Sequence, residues 1–363
     1  MNRKVQRLVI SGGGTGGHLF PGVATAEEFL RRSPENSVLF INAGRPMDHK
    51  ILNAHGFRHE SIAISGIKGM GLLQKIKAAL RFPMTVGRSS AILRSFQPQV
   101  LLSVGGYSAA PAALAAKLMR IPVIVHEQNS LPGLTTRLLA RFATEVHVSF
   151  PDTQLSARPG KIHISGNPVR RDLVGCRTHR RQAGAPLRLL VLGGSQGARG
   201  LNQALCQTLP LIRNLPLTFV HQTGDTDFHE VHGAYAKAGV HAHIQPFIDD
   251  MVTAYAEADM VLSRAGATTV AELAAAGLGA IFIPFPHAAD NHQFYNAKAM
   301  VDAGAAFILE ESTFRPEELA SILKNCSSSS EITEAMADAA RNLSRPDAAI
   351  TLTNAIMGCI AEE

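Results

Sequence analysis

Two turns of one design constrain this chain more than any other feature. Near the start, Leu8-Val9-Ile10-Ser11 runs into Gly12-Gly13-Gly14-Thr15-Gly16-Gly17-His18. Later, Leu190-Val191-Leu192 runs into Gly193-Gly194-Ser195-Gln196-Gly197. Aligned on the hydroxyl residue, both read Gly-Gly-(Thr/Ser)-x-Gly, with Thr15 and Ser195 180 positions apart. Each apolar run predicts a strand, and each turn opens a predicted helix. Glycines let the backbone bend sharply and bring its N–H groups up to a ligand. A helix N-terminus adds unpaired donors and the positive end of the dipole, which suits phosphate. The repeat predicts two similar domains with a ligand between them.

The rest of the chain follows the same alternation. Strands are expected near 6–11, 37–42, 61–64, 99–103, 122–126, 145–148 and 162–165, then near 187–193, 216–221, 242–245, 259–262 and 280–284. Helical patterns lie between most of them, which implies βαβ units and parallel sheets covered on both faces. With 363 residues, 46% of them apolar, there is material for two cores. Gly166-Asn167-Pro168-Val169-Arg170 and an arginine-rich stretch to Arg188 read as the linker, its arginines mostly solvated. Pro346 breaks a helical pattern, and a last helix over about 348–361 is placed to cross back onto the first domain. The expected division is 1–166 with 347–363, and 167–346.

Composition narrows the setting. The four cysteines, Cys176, Cys206, Cys326 and Cys359, form no C-x-x-C pair, and the short stretch ahead of the first strand does not read as a signal peptide. A reducing cytoplasm is the expectation. The most apolar region, about Val100 to Val125, is interrupted by Gly105, Gly106, Pro111, Lys117 and Arg120, and reads as strand–helix–strand rather than a membrane span. The formal charge of +6 favours an anionic partner: nucleotide, nucleic acid or acidic lipid. Residues 66–94 stand apart. Leu72, Leu73, Ile76, Ala79 and Leu80 share one helix face, and Lys68, Lys75, Lys77, Arg81, Arg88 and Arg94 supply positive charge with no acid between them. That pattern fits a helix lying on anionic lipid as well as a core helix with a solvated basic face.

Several motifs carry competing chemistry. Gly12-x-Gly14-x-x-Gly17 matches the dinucleotide fingerprint, but the second strand ends Phe40-Ile41-Asn42-Ala43-Gly44, without the acid that would hold a ribose. Gly193-Gly194-Ser195-Gln196-Gly197 matches a hydrolase nucleophile elbow, yet its twin carries threonine at the hydroxyl position. A hydroxyl donated to phosphate explains both. Asp225-Thr226-Asp227 is a D-x-D in a polar loop and reads as a turn. His126-Glu127-Gln128-Asn129 lacks zinc spacing, and no metal site is expected. A third phosphate candidate is Ser263-Arg264-Ala265-Gly266-Ala267-Thr268-Thr269-Val270-Ala271-Glu272. There Gly266 permits the turn, the threonines open a helix, and Glu272 either accepts from ribose hydroxyls or merely complements the helix dipole. The polar cluster Pro284–Ala297 follows a strand at the carboxyl edge, where open sheets bind ligands.

Taken in order, these motifs resemble the MurG family of UDP-N-acetylglucosamine transferases. The matching segments are GGGTGGH (12–18), GGYSAAP (105–111), HEQNSLPG (126–133), GNPVR (166–170), GGSQGARGLN (193–202), FIDDM (247–251), RAGATTVAEL (264–273) and DNHQFYNA (290–297). They span essentially the whole chain. The resemblance implies an α/β GT-B fold, two Rossmann-like domains whose parallel sheets face a central cleft. It implies metal-independent, inverting transfer of GlcNAc from UDP-GlcNAc to the 4-hydroxyl of undecaprenyl-diphosphate-MurNAc-pentapeptide, in peptidoglycan synthesis and without a cofactor. It also implies a peripheral place on the cytoplasmic face of the inner membrane, with an anionic membrane surface and other cell-wall synthesis proteins as partners and no nucleic acid.

Carried over by position, the resemblance puts uracil on the Ile248 backbone. It puts the diphosphate on the turn Ala267, Thr268, Thr269, Val270 and Ala271, and the ribose on Glu272. Gln293 and Asn129 meet the sugar, and Arg170, Ser195, Thr15, Gly16 and Gly17 meet phosphate or sugar. Tyr107 and Asn202 fall on the acceptor side. The attacking hydroxyl needs a base. His18, at a helix start that disfavours imidazolium, can accept the proton or can be a cap or phosphate contact; Glu127 is the rival. A polyprenyl acceptor requires membrane contact, for which Leu72, Leu73, Lys75, Ile76, Lys77, Leu80 and Arg81 are the candidates. A sugar-nucleotide epimerase of the same fold and another glycolipid glycosyltransferase remain alternatives. Nucleic-acid binding is the distant one, disfavoured by the lack of Trp and the presence of only four Tyr.

Overall fold

The computed structural model describes residues 5–14, 16–64, 72–157, 160–193 and 197–361, with the backbone alone over 72–78. The chain divides into two compact units, Met1–Val169 with Arg345–Glu363, and Arg170–Ser344. The first holds β1 (Arg7–Ser11), α1 (Gly16–Arg32), β2 (Ser37–Asn42), α2 (Pro46–Ala54), β3 (Arg58–Ser61), α3 (Leu72–Phe96), β4 (Val100–Ser103), α4 (Ala109–Leu118), β5 (Val123–Glu127), α5 (Leu134–Leu139), β6 (Glu145–Val148) and β7 (Ile162–Ile164). The second holds β8 (Leu187–Leu192), α6 (Arg199–Ile212), β9 (Leu217–Gln222), α7 (Phe228–Ala238), β10 (Ala242–Gln245), α8 (Met251–Glu257), β11 (Met260–Ser263), α9 (Ala267–Ala276), β12 (Gly279–Phe282), α10 (His292–Asp302), β13 (Ala306–Ile308), α11 (Pro316–Ser328) and α12 (Ser330–Leu343). The last helix, α13 (Ala348–Ala361), returns to the first unit, where Leu352, Ile356 and Cys359 join a core with Leu8, Ile10, Leu19, Val23 and Phe29.

Both sheets are parallel among their described pairs, and they share one winding plan. The first runs β3-β2-β1-β4-β5-β6-β7 and the second β10-β9-β8-β11-β12-β13. Each begins at its third strand from one edge, winds outward one way, then crosses back and winds out the other. Strands so placed are covered on both faces, which is why β4, β5, β11 and β12 are buried from end to end. The winding reverses between β1 and β4 and between β8 and β11, and at such a point a crevice opens beyond the carboxyl ends. The twin glycine turns follow β1 and β8. The repeat seen in the sequence is therefore a repeat of the fold, with both turns at the switch point.

Three expectations need correction. The third strand is Arg58–Ser61, not 61–64; it is a half-exposed edge strand of Arg, His, Glu and Ser, so it lacks the apolar signal. The edge strand β13 was not foreseen, having three residues. The arginines after Arg170 are not mostly solvated: Arg177 and Arg181 are buried. Arg177 Nη2 lies 2.6 Å from Glu334 Oε1, and Arg181 donates to the Cys326 carbonyl at 2.6 Å and, through its backbone N–H, to Glu334 at 2.9 Å. Asp259 accepts from the Arg188 backbone and guanidinium and from His179, each at 2.9 Å. The segment is thus bound down onto the second unit through charge.

Burial would raise the pKa values of Asp259 and Glu334, but hydrogen bonds from Arg188 and Arg177 hold both below the usual carboxylate range. A depressed carboxyl stabilises the fold above its unfolded pKa, and that contribution is lost as pH falls through the folded one. Arg177→Ala takes the guanidinium from the buried Glu334 carboxylate and should cost about 3 kcal/mol. Denaturant titration at neutral pH checks this, and repetition toward pH 3 should find the difference shrinking as the carboxyls protonate.

Candidate active site

At the first unit's switch point, two glycine turns touch backbone to backbone. A Cβ on Gly12 would lie 2.6 Å from the Gly105 carbonyl, and one on Gly106 would lie 2.6 Å from the Gly13 carbonyl. Both residues have positive φ, so glycine is required on two counts. The space that a Cβ on Gly105 would fill is bounded by His18, with Cδ2 at 2.9 Å and Nε2 at 3.4 Å, and by Gln128 Oε1 at 3.6 Å. The glycine turn after β4 thereby makes room for the imidazole at the start of α1. Gly16 and Gly17 begin that helix, and Tyr107 is half-buried in the turn after β4.

The first loop is braced from α2. The Gly14 N–H donates to Asp48 Oδ1 at 3.0 Å, and Arg45 Nη1 donates to the Gly14 carbonyl at 2.7 Å. Asp48 is fully buried, and its Oδ2 has no hydrogen-bond partner among the described residues. Neither residue was singled out in the sequence; their only signal was position, just beyond the end of β2.

After β5 the backbone is tied down by side chains. His126 Nε2 donates to the Gly166 carbonyl at 3.0 Å, and its Nδ1 accepts from Gln128 Nε2 at 3.0 Å. Burial pushes the His126 pKa down to about 4, so the ring is neutral. Glu127 is buried, and burial raises its pKa. Its Oε1 accepts from the Asn129 backbone at 3.0 Å and side chain at 3.2 Å, and its Oε2 accepts from the Gly133 N–H at 3.2 Å. Both oxygens of the rival base thus hold the loop that carries Asn129.

In the second unit, β11 ends at Ser263 and α9 starts at Ala267, with Gly266 as its N-cap. Gly266 has no side chain to satisfy the first-turn amides, which leaves the Ala267, Thr268 and Thr269 end of the helix suited to an anion. Val270 and Ala271 complete the turn, and the Val270 N–H closes on the Gly266 carbonyl at 2.9 Å. Glu272 follows on the next turn. Tyr255 of α8 donates its hydroxyl to Glu272 Oε2 at 3.1 Å. Burial raises the Glu272 pKa to about 7, against the pull of Arg170 and of the Tyr255 hydrogen bond. Arg170 and Glu272 are therefore neighbours, though a hundred residues separate them in the sequence.

Two more contacts fix groups that the sequence singled out. The Ile248 N–H donates to Gln222 Oε1 at 2.9 Å, so that half of the residue's backbone pair is occupied within the unit. Gln293 Oε1 accepts from the Phe285 N–H at 2.9 Å, which turns its amide nitrogen outward. Gln222 was missed because a glutamine at a strand end gives no signal of its own. Thr15 and Ser195 lie outside the described residues, as does 65–71, the start of the basic amphipathic segment. In that segment Leu72, Leu73, Lys75, Ile76 and Lys77 belong to α3, whose side chains are described from residue 79 onward. Leu80 is 72% and Met84 76% exposed, Arg81 is exposed, and the far half of the helix packs Val86, Ile92, Leu93 and Phe96 into the core. No helix among the described residues is long and apolar enough to cross a membrane.

Asn202 is a correction. It is buried, and its Nδ2 donates to the Thr223 carbonyl at 2.9 Å and to Asp227 Oδ2 at 2.8 Å. Its Oδ1 lies 3.1 Å from His221 Nε2. An amide oxygen only accepts, so His221 carries its proton there, and its Nδ1 accepts from the Tyr235 hydroxyl at 3.3 Å. Burial lowers the His221 pKa to about 3. Every polar atom of Asn202 is engaged inside the domain, and Asp227 of the D-x-D belongs to the same brace. Asn202 therefore shapes the loop rather than touching an acceptor.

Residues 8–148 match the glycosyltransferase family 28 N-terminal domain, and residues 188–352 match its C-terminal domain. With two parallel-sheet units, this defines a glycosyltransferase of the GT-B fold. A protein of Syntrophus aciditrophicus (strain SB), named UDP-N-acetylglucosamine--N-acetylmuramyl-(pentapeptide) pyrophosphoryl-undecaprenol N-acetylglucosamine transferase, is 42% identical over 356 residues, covering 98% of this chain and 99% of that protein. The crystal structure of Acinetobacter baumannii MurG is similar at a TM-score of 0.80 and 31% identity, covering 97% of this chain and 99% of that one. The chain belongs to the MurG family. A UDP-N-acetylglucosamine 2-epimerase, at a TM-score of 0.68 and 13% identity over 99% of this chain and 98% of its own, shares the fold alone.

If Asn202 is a brace, Asn202→Ala should lower stability by about 1–3 kcal/mol, since it leaves buried partners unpaired. Thermal unfolding checks this. A variant that melts normally but has a raised acceptor KM would restore the acceptor role.

Proposed function

We propose that this chain transfers GlcNAc from UDP-GlcNAc to the 4-hydroxyl of undecaprenyl-diphosphate-linked MurNAc-pentapeptide, with inversion at the sugar carbon. One observation carries the reading: 42% identity to a named transferase of this type over 98% of the chain. The second unit's switch point agrees with it, because it collects an open helix N-terminus, a cation and a carboxyl, the complement of a nucleoside diphosphate.

In the proposed mechanism UDP lies on the second unit. The Ile248 carbonyl meets uracil, Glu272 meets the ribose hydroxyls, and the Ala267–Ala271 turn meets the diphosphate. Negative charge grows on that diphosphate as the sugar leaves through an oxocarbenium-like state, and the first-turn amides together with Arg170 absorb it. Gln293 offers its outward amide nitrogen to the sugar, and Asn129, held by Glu127, offers its loop. Ser195, Thr15, Gly16 and Gly17 complete the contacts to phosphate and sugar. His18 takes the proton of the attacking hydroxyl, and Tyr107 orients the acceptor. Glu127, with both oxygens occupied, positions the Asn129 loop and is not the base.

The acceptor's lipid tail calls for contact with a bilayer. The exposed Leu80 and Met84, next to the exposed Arg81, support placing that contact on the N-terminal half of α3, with Leu72, Leu73, Lys75, Ile76 and Lys77 as the rest of the face. The enzyme is then peripheral, on the cytoplasmic face of the membrane.

The deciding experiment is transfer of labelled GlcNAc to a short-chain analogue of the muramoyl lipid in the presence of EDTA. Conversion of UDP-GlcNAc alone to UDP-ManNAc would replace the transferase with an epimerase. His18→Ala should lower turnover by about 10²–10⁴-fold while leaving donor Kd nearly unchanged. Gly105→Ala should act in the same direction, since its methyl takes the place of the imidazole. If turnover of His18→Ala equals that of the parent, His18 is not the base. Leu80→Glu with Met84→Glu should weaken binding to phosphatidylglycerol vesicles with no change in melting temperature; unaltered binding would put the membrane face elsewhere.

A further inference from the structure

Tyr255 plays no part in the contacts so far assigned to the donor, yet its hydroxyl sits against one of them. It is fully buried on α8, its ring fills the space beside α9, and its hydroxyl donates to Glu272 Oε2 at 3.1 Å. A buried tyrosine hydroxyl ordinarily takes whatever acceptor the core provides, often a backbone carbonyl. Here it takes the one carboxyl that the proposed donor site uses.

The geometry points to Tyr255 as a positioning residue for ribose recognition: it fixes the Glu272 carboxylate so that two acceptor positions face the 2′- and 3′-hydroxyls of the nucleotide. The inference rests on the proposed contact between Glu272 and the ribose. A carboxylate receiving a vicinal diol must present two lone pairs in one plane. Glutamate has three side-chain torsions with which to lose that plane, and a donor from the far side removes the freedom. Tyr255 can only serve as that donor while Glu272 accepts, so it also favours the ionised form over the protonated one.

The groups acting on Glu272 set the sign of the pH dependence. Burial raises its pKa, Arg170 and the Tyr255 hydroxyl lower it, and Asp172 raises it, leaving it at about 7. A protonated carboxyl has one acceptor fewer for the diol. Binding of UDP-GlcNAc, whose own phosphates stay ionised throughout, should therefore tighten as pH rises through neutrality. Without the Tyr255 hydroxyl the charged form is less favoured, and the midpoint should move to higher pH.

The test is calorimetric titration of UDP-GlcNAc and of 2′-deoxy-UDP-GlcNAc into the full chain, between pH 6 and 8.5, for the parent, Tyr255→Phe, Glu272→Gln and the double variant. Phe retains the ring that fills the core, and equal melting temperatures establish that the fold is kept. Tyr255→Phe should raise Kd for UDP-GlcNAc about five-fold at pH 7.5, with a higher pH midpoint and a smaller effect on the deoxy donor. In the Glu272→Gln background the Phe substitution should add nothing. In turnover the effect should fall on donor KM and leave kcat at saturating donor unchanged. Should Glu272→Gln weaken binding while Tyr255→Phe leaves Kd and midpoint where they were, the positioning role is wrong and the ribose contact stands. Should Glu272→Gln itself leave Kd unaltered, the ribose contact fails and the inference with it. If Tyr255→Phe melts early, the titrations are run below its transition temperature, where a Kd and midpoint equal to the parent's overturn the inference and the five-fold rise with a higher midpoint supports it.

Discussion

The whole arrangement depends on the reversal of winding in a parallel sheet. A strand that starts in the middle must send its neighbours out in both directions, and the helices that follow the two central strands leave toward opposite faces. Nothing regular fills the gap beyond their ends, so the two connecting turns must close it themselves. In the first unit they do so by direct backbone contact: Gly12 against Gly105, and Gly106 against Gly13. A methyl on Gly12 or on Gly106 would push the turns apart. His18 sits where it does because a third glycine, Gly105, leaves the space its ring occupies.

Different turns at the two switch points are held in different ways. In the first, a carboxyl from α2 already takes the Gly14 amide, with its second oxygen buried beside it. That amide is already satisfied within the unit, and the loop leads into the start of α1. In the second, α9 begins on a glycine with no side chain to cap it, and a guanidinium stands close by. That is the helix end to which the proposed mechanism assigns the diphosphate. In the proposed mechanism the nucleotide grip lies at this third turn, after β11, rather than at either of the twins.

Much of this was legible in the sequence because it was written in patterns with a period. Alternating strands and helices, paired glycine turns and the returning last helix all leave apolar or glycine signatures. What escaped lacked such a signature. The edge strand at Arg58–Ser61 is polar because half of it faces solvent, and β13 has three residues, too few to show alternation. Arg177 and Arg181 resembled a solvated linker because their partners, the Ala258 carbonyl and Glu334, lie about 80 to 150 residues further along the chain. Asn202 belonged to a family motif, and only its contacts with Thr223, Asp227 and His221 reveal a brace. Motif membership locates a residue without stating what it touches.

The tie between Gln222 and Ile248 has a consequence for which base the site accepts. With its N–H held by a glutamine oxygen, Ile248 can present only a carbonyl to the edge of a nucleobase. Under the proposed contact, that carbonyl meets the N3–H of uracil as an acceptor meets a donor. Cytosine carries a lone pair at the same atom, so the two would repel, and a buried acceptor would be left facing another. Discrimination between the pyrimidines then comes less from attraction to the right base than from a polarity that the touching Gln222 side chain has already fixed.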